Sequence, residues 1–197
     1  MNILKKLFLT LVLLFSISGS LNAAEEGQTR FGIELGWAPV DLEAEKTAQQ
    51  LANLSGSTVG VVYDTGSFVG RIFGDYGVSS NLSLEFGFFQ SSSADATYTI
   101  GSDSATEAYD ASGLDFSVVL SGTEGWFGKF GMHSSTVEGV GTITIGGTSY
   151  SVTASQDGTG PLLGFGFEAD DYRYSMVHYV DVGDTTDYTM FSVGWLF

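Results

Sequence analysis

Few side chains in this sequence could act as nucleophile, base or metal ligand: there are two histidines and no cysteine. His133 and Ser135 stand two residues apart. Such a pair could supply the base and nucleophile of an acyl transfer if an acid oriented the imidazole. A second set is ionic. Glu34, Asp75, Glu85, Asp115 and Glu168 could pair with Arg71, Lys129 and Arg173, either as a structural plug or as the lining of a narrow ion path. A third set is acidic throughout: Asp41, Glu43, Glu45, Asp95, Asp103, Glu107, Asp110, Glu138, Asp157, Asp184 and Asp187. It could bridge divalent cations or form a solvated, mutually repulsive surface. No Asp-x-Asp-x-Asp-Gly run is present, so no dedicated calcium loop is assigned.

Composition limits the elements that could hold these groups. The formal charge is −16, from 23 acidic and 7 basic residues. That excess argues against nucleic acid as a partner, which requires a basic face. Hydrophobic residues make up 43% of the chain, so it is not a disordered acidic polymer. Without cysteine there is neither a disulfide framework nor a thiolate metal site. No cofactor is implied. The length suits one domain.

Residues 1–23 have the form of an export signal. Lys5 and Lys6 precede an apolar run from Leu7 to Ile17, and small residues lead to a cleavage point after Ala23. The run is too short to span about 30 Å of hydrocarbon. Residues 24–197 then form the single mature domain.

In that domain the apolar residues recur with period two, the repeat of a strand with unlike faces. Phe31, Ile33, Leu35 and Trp37 alternate with Gly32, Glu34 and Gly36. Leu82, Leu84, Phe86 and Phe88 alternate with Ser83, Glu85 and Gly87. Phe191, Val193, Trp195 and Phe197 alternate with Ser192, Gly194 and Leu196. Similar runs surround Phe68–Tyr76, Leu114–Leu120, Trp126–Met132, Leu163–Phe167 and Tyr172–Val180, making eight strands. One face is large and apolar; the other carries glycine and charge. This reverses a soluble sandwich and predicts an all-β, eight-stranded antiparallel transmembrane β-barrel with its ionic residues turned to the lumen.

Connections alternate in length. Val78–Asn81, Ser121–Glu124 and Asp170–Asp171 are short, whereas 39–66, 91–110 and 136–160 are long, as in barrels with short periplasmic turns and long extracellular loops. Leu42–Leu54 has helical apolar spacing, so the first loop should hold an amphipathic helix. Residues 142–152 read as a hairpin turning at Gly146-Gly147, which either extends the fifth and sixth strands past the membrane or adds two strands to the barrel. Trp37, Tyr76, Tyr98, Trp126, Tyr172, Tyr174, Tyr188 and Trp195 are expected to form interfacial girdles.

Several of these strands carry motifs in a familiar order. They are Gly70-Arg71-Ile72-Phe73-Gly74-Asp75-Tyr76-Gly77, Asn81-Leu82-Ser83-Leu84-Glu85-Phe86-Gly87, Phe127-Gly128-Lys129-Phe130-Gly131, Gly164-Phe165-Gly166-Phe167-Glu168 and the terminal Ser192-Val193-Gly194-Trp195-Leu196-Phe197. Together they resemble the eight-stranded outer-membrane barrels typified by the transmembrane domain of outer membrane protein A. The peptidoglycan-binding domain of that family's longest members has no counterpart here.

The resemblance implies an outer-membrane protein of a Gram-negative bacterium with a lumenal ion-pair network. It implies outer-membrane lipid and lipopolysaccharide as surroundings, and a structural or surface-contact role as a monomer. It also implies that Phe191, Val193, Trp195 and Phe197 are read by the barrel-assembly machinery. His133-x-Ser135 resembles the motif of a lipid A deacylase. Both residues, however, have lumenal parity, and no acid stands at the matching downstream spacing, so a non-enzymatic role is expected. The remaining alternative is a narrow porin-like channel for small solutes or ions.

Overall fold

The computed structural model describes residues 26–122, 125–184 and 186–197. The expected export signal lies outside the described residues. Strands β1 (Thr29–Pro39), β3 (Gly66–Ser79), β4 (Leu82–Ser91), β6 (Asp103–Ser121), β7 (Trp126–Ile145), β8 (Thr148–Ala169), β9 (Tyr172–Val182) and β10 (Thr186–Leu196) form a ring. Neighbours pair antiparallel throughout, and β1 closes the ring on β10 from Gly32 opposite Leu196 to Trp37 opposite Phe191. Closure leaves no strand edge within the ring, which is the condition for placing a sheet in hydrocarbon. No helix among the described residues is long and apolar enough to cross a membrane.

The side-chain pattern follows the pleat. Phe86, Phe116 and Phe165 face outward, 50–55% exposed, while Arg71 and Lys129 are 1% and 3% exposed inside. Phe86 and Phe116 lie directly opposite each other on β4 and β6, so the apolar belt runs across strands as well as along them. Facing lipid, such a belt is in its preferred solvent; a charge at the same depth would cost about 2–4 kcal/mol.

Strand length separates membrane from exterior. β1, β9 and β10 have 11 residues each, near the 9–11 that a tilted transmembrane strand requires. β6, β7 and β8 have 19, 20 and 22, so they continue past the ring on one side. Residues 142–152 are the tip of this extension. Gly146 (φ 56°) and Gly147 (φ 82°) form a two-residue turn with both φ positive, which is why two glycines are needed. The hairpin lengthens β7 and β8 and adds no strand to the ring.

Two strands come from segments expected to be loop. β5 (Ala94–Ile100) pairs with the outer part of β6, and β2 (Gly60–Tyr63) pairs with β5. On β5 the inward face begins with Ala94 and Ala96, whose weak hydrophobic contrast conceals the alternation, and β2 has only four residues. The helix expected in the first loop is α1 (Ala44–Ser55). Its Ala44 and Ala48 pack on Ala96 and Tyr98, with Leu51 and Val61 beside them.

Two of the girdle assignments are corrected. Trp37, Tyr76, Trp126, Tyr172, Tyr174 and Trp195 are exposed on the outer wall, but Tyr98 and Tyr188 are buried. Tyr188 shares parity with Met190 and Ser192, so the pleat turns it inward to a 2.8 Å hydrogen bond with Ser67. Tyr98 lies on the extension, under α1.

Candidate functional site: the filled lumen

Register builds the ionic site. Arg30 stands opposite Asp75, Glu34 opposite Arg71 and Glu168 opposite Arg173, each pair on adjacent strands. Asp75 also stands opposite Glu85, a like-charge pair that needs a cation between its members. Arg173 fills that role: it bonds Glu85, lies 3.8 Å from Asp75, and donates to Glu168 at 2.6 and 2.8 Å.

Arg71 has the most partners. Its guanidinium donates to Asp115 at 2.6 and 2.9 Å, to Glu34 at 2.9 Å and to Glu85 at 2.7 Å. Lys129 adds one bond to Glu85 at 3.0 Å. The side chains of Arg71, Glu34, Glu85 and Asp115 expose no area. Arg30 completes a ring of charge, donating to Asp75 at 2.9 Å and to Glu168 at 2.7 and 2.8 Å. All eight lumenal residues singled out in the sequence therefore meet in one connected network. Arg30 is a ninth member that the alternation, begun at Phe31, did not reach. It has the parity of Glu34, and extending the run by one residue would have included it.

The lumen also holds rings. Phe73 and Phe127 point inward, and the Arg173 guanidinium lies 4.4 and 4.7 Å from their centroids. Arg71 lies 4.9 Å from the Phe73 ring. Desolvated guanidinium–ring contacts contribute up to about 2 kcal/mol. Glycines on the lumenal face make room for these side chains. A Cβ on Gly164 would lie 2.9 Å from Lys129 Cγ, one on Gly194 would lie 2.8 Å from Glu34 Cγ, and one on Gly166 would meet the Phe127 ring.

Toward the extended end the lumen becomes apolar. Val69, Phe89, Leu162, Val177, Tyr179 and Met190 pack together there. Tyr179 joins the two tiers: its hydroxyl donates to Asp115 at 3.3 Å, and its ring meets Phe89 and His133 at 4.9 and 5.4 Å between centroids. The expectation that large apolar residues all face lipid is corrected by this tier. An eight-stranded barrel is narrow enough for side chains to fill it, and where they bring no charge they must be apolar.

His133 and Ser135 are both buried in the lumen. His133 Nε2 is 2.7 Å from the Val180 carbonyl, and Ser135 Oγ accepts the Gly183 amide at 3.1 Å. Each is engaged with the backbone near the outer end of β9. There Asp181 takes a positive φ of 59° and interrupts the pleat, so Val182 turns inward directly after it. Among the described residues, no group of three or more His, Asp or Glu is arranged to hold a metal ion. Of the C-terminal residues, Phe191, Val193 and Trp195 are half-exposed on the outer wall, and Phe197 exchanges backbone hydrogen bonds with Phe31 at 2.9 and 3.0 Å.

The same architecture recurs among solved structures. Ail, the attachment invasion locus protein of Yersinia pestis, aligns with a TM-score of 0.51 at 12% identity, over 87% of this chain and 99% of that one. The fold is that of the eight-stranded outer-membrane barrels. The outer membrane protein OprG of Pseudomonas aeruginosa aligns at 10% identity with a TM-score of 0.45, over 89% of this chain and 99% of that one. No family model matches the sequence, and comparison with curated proteins finds no match.

Proposed function

We propose that this chain is a non-enzymatic integral protein of a Gram-negative outer membrane, with a structural and surface-contact role. The lumen carries the reading. Its ionic and apolar tiers use the barrel interior for cohesion, leaving the extended β6–β8 sheet as the part available for contact. That sheet and its loops are acidic, with Lys46 as the one basic side chain among the described residues outside the lumen. The surroundings would be outer-membrane lipid and lipopolysaccharide, and the barrel would act as a monomer.

In planar lipid bilayers the purified protein should give no single-channel steps at moderate voltage. Steady unitary currents, abolished by enlarging Lys129 or Glu85, would instead favour a narrow porin-like channel. Export would depend on residues 1–23, and insertion on the C-terminal strand. Deleting Phe197 removes its backbone pairing with Phe31 and one outward aromatic, so the amount of heat-modifiable protein in outer-membrane fractions should fall several-fold. Normal insertion of the truncated chain would dismiss the terminal residues as an assembly signal.

A further inference from the structure

The extended sheet is only half covered. Odd-numbered positions of β6 and β7 turn into the lumen at Asp115, Lys129 and His133, and the same parity continues outward through Glu107, Ala105, Gly141 and Ile143. Helix α1 covers this face over β2 and β5. Alongside Thr47 and Leu51 the cover is incomplete, leaving a groove of about 420 Å³ between α1 and the β6–β8 strands. One bank is Thr47 and Leu51; the other is Ile143, Tyr150 and Val152, all three side chains at least half exposed. Gly141 forms part of the floor, and the nearest atom to a Cβ placed there is Val152 Cγ1 at 3.4 Å.

One charge faces this apolar trough. Glu107 accepts the hydroxyls of Tyr98 and Tyr109, the latter at 3.1 Å. Burial and the neighbouring carboxylate push the Tyr98 hydroxyl up to about 12, and the same causes raise Tyr109. Both phenols therefore remain donors, and their hydroxyls converge on the one carboxylate. Among the described residues, the side chains that bond Glu107 are the two tyrosines and no basic group. A half-buried carboxylate in an apolar trough that also presents the exposed Tyr150 ring, within an acidic surface, is complementary to a lipophilic cation: ring and carboxylate attract the charge, and the trough takes the hydrocarbon.

We propose that the groove between α1 and β6–β8 binds organic cations with an apolar body, the cationic head at Glu107 and the body along Ile143, Tyr150 and Val152. This goes beyond the structural role above and is independent of whether the lumen conducts.

The test is calorimetric titration of the full chain in zwitterionic nanodiscs. The probes are trimethyl(4-phenylbutyl)ammonium, neutral 4-phenylbutanol and anionic 4-phenylbutyrate. Binding of the cation should exceed that of the alcohol by about tenfold or more, with none for the anion. Glu107→Gln should remove most of that preference. Gly141→Leu, which leaves every polar contact in place and fills the trough, should abolish binding. Asp157→Asn, on the opposite face of β8, should change the affinity less than about twofold. Heat-modifiable migration checks that each variant is folded. Equal affinity for cation and alcohol, or full binding by Gly141→Leu, would overturn the proposal. So would an equal loss in Asp157→Asn and Glu107→Gln, since that would reduce the effect to the general acidic field.

Discussion

Arg71→Met should be among the most damaging single substitutions in the barrel, lowering unfolding stability by about 3–5 kcal/mol, whereas Lys129→Met should cost roughly 1–2 kcal/mol. Both remove one buried positive charge; the difference lies in what each leaves behind. Arg71 holds Glu34, Glu85 and Asp115, which come from three different strands. Among the described residues, the other hydrogen bond to Glu34 comes from the Ser175 hydroxyl at 3.2 Å, and the other one to Asp115 from the Tyr179 hydroxyl at 3.3 Å. Without the guanidinium these carboxylates stay buried and largely uncompensated. Lys129 bonds Glu85 alone, and Glu85 keeps both Arg71 and Arg173. Arg71→Lys should fall between the two, because an ammonium keeps the charge but cannot reach three carboxylates with a planar fork. Urea titration of the barrel in lipid vesicles, followed by tryptophan emission and gel migration, gives the comparison. Equal costs for Arg71→Met and Lys129→Met would mean that the network shares its energy evenly and that no residue is central.

The parity that brings these charges together was legible because the two faces differ so strongly. At Glu85-Phe86 or Lys129-Phe130 a carboxylate or ammonium sits next to a phenylalanine, and only opposite faces can accommodate both. The rule weakens where the contrast weakens. Phe73 and Phe127 are aromatic yet lie inside, where a guanidinium stacks on them; residue type does not separate them from Phe86 or Phe130, and only the parity they share with Arg71 and Lys129 does. The apolar tier around Phe89 and Met190 follows from the narrowness of the ring, which is a property of the closed sheet and not of any segment. β5 was hidden because Ala94 and Ala96 contrast too little with Asp95 and Thr97. Arg30 was hidden only by where the first run was begun. Tyr188 could have been placed inside from its even-numbered position beside Met190 and Ser192. Asp181 could not have been anticipated: a non-glycine residue with positive φ resets the alternation, and Val182 turns inward although its number alone would not have required it.

The glycines of the lumenal face lead to the second large effect. Gly87→Ala should destabilise the barrel by about 2–3 kcal/mol, while Gly70→Ala should be neutral or slightly stabilising. By intrinsic strand preference both changes should help, since glycine weakens a strand interior. Space decides otherwise. A Cβ on Gly87 would lie 2.5–2.8 Å from the Nη2, Nε and Cζ atoms of Arg71, whereas one on Gly70 meets nothing within 4 Å. An exposed arginine would swing aside at little cost. This one is held by four hydrogen bonds to three carboxylates, so yielding to the methyl group means stretching the contacts that keep Asp115 and Glu85 satisfied. The steric and electrostatic costs are therefore one cost, and a double-mutant cycle separates this account from simple strand crowding. In an Arg71→Lys background the guanidinium is gone, and Gly87→Ala should lose most of its penalty, giving a coupling energy of about 1–2 kcal/mol. If instead the two substitutions add, the alanine acts on the β3–β4 backbone, and glycine at 87 is needed for strand pairing and not for the arginine that lies over it.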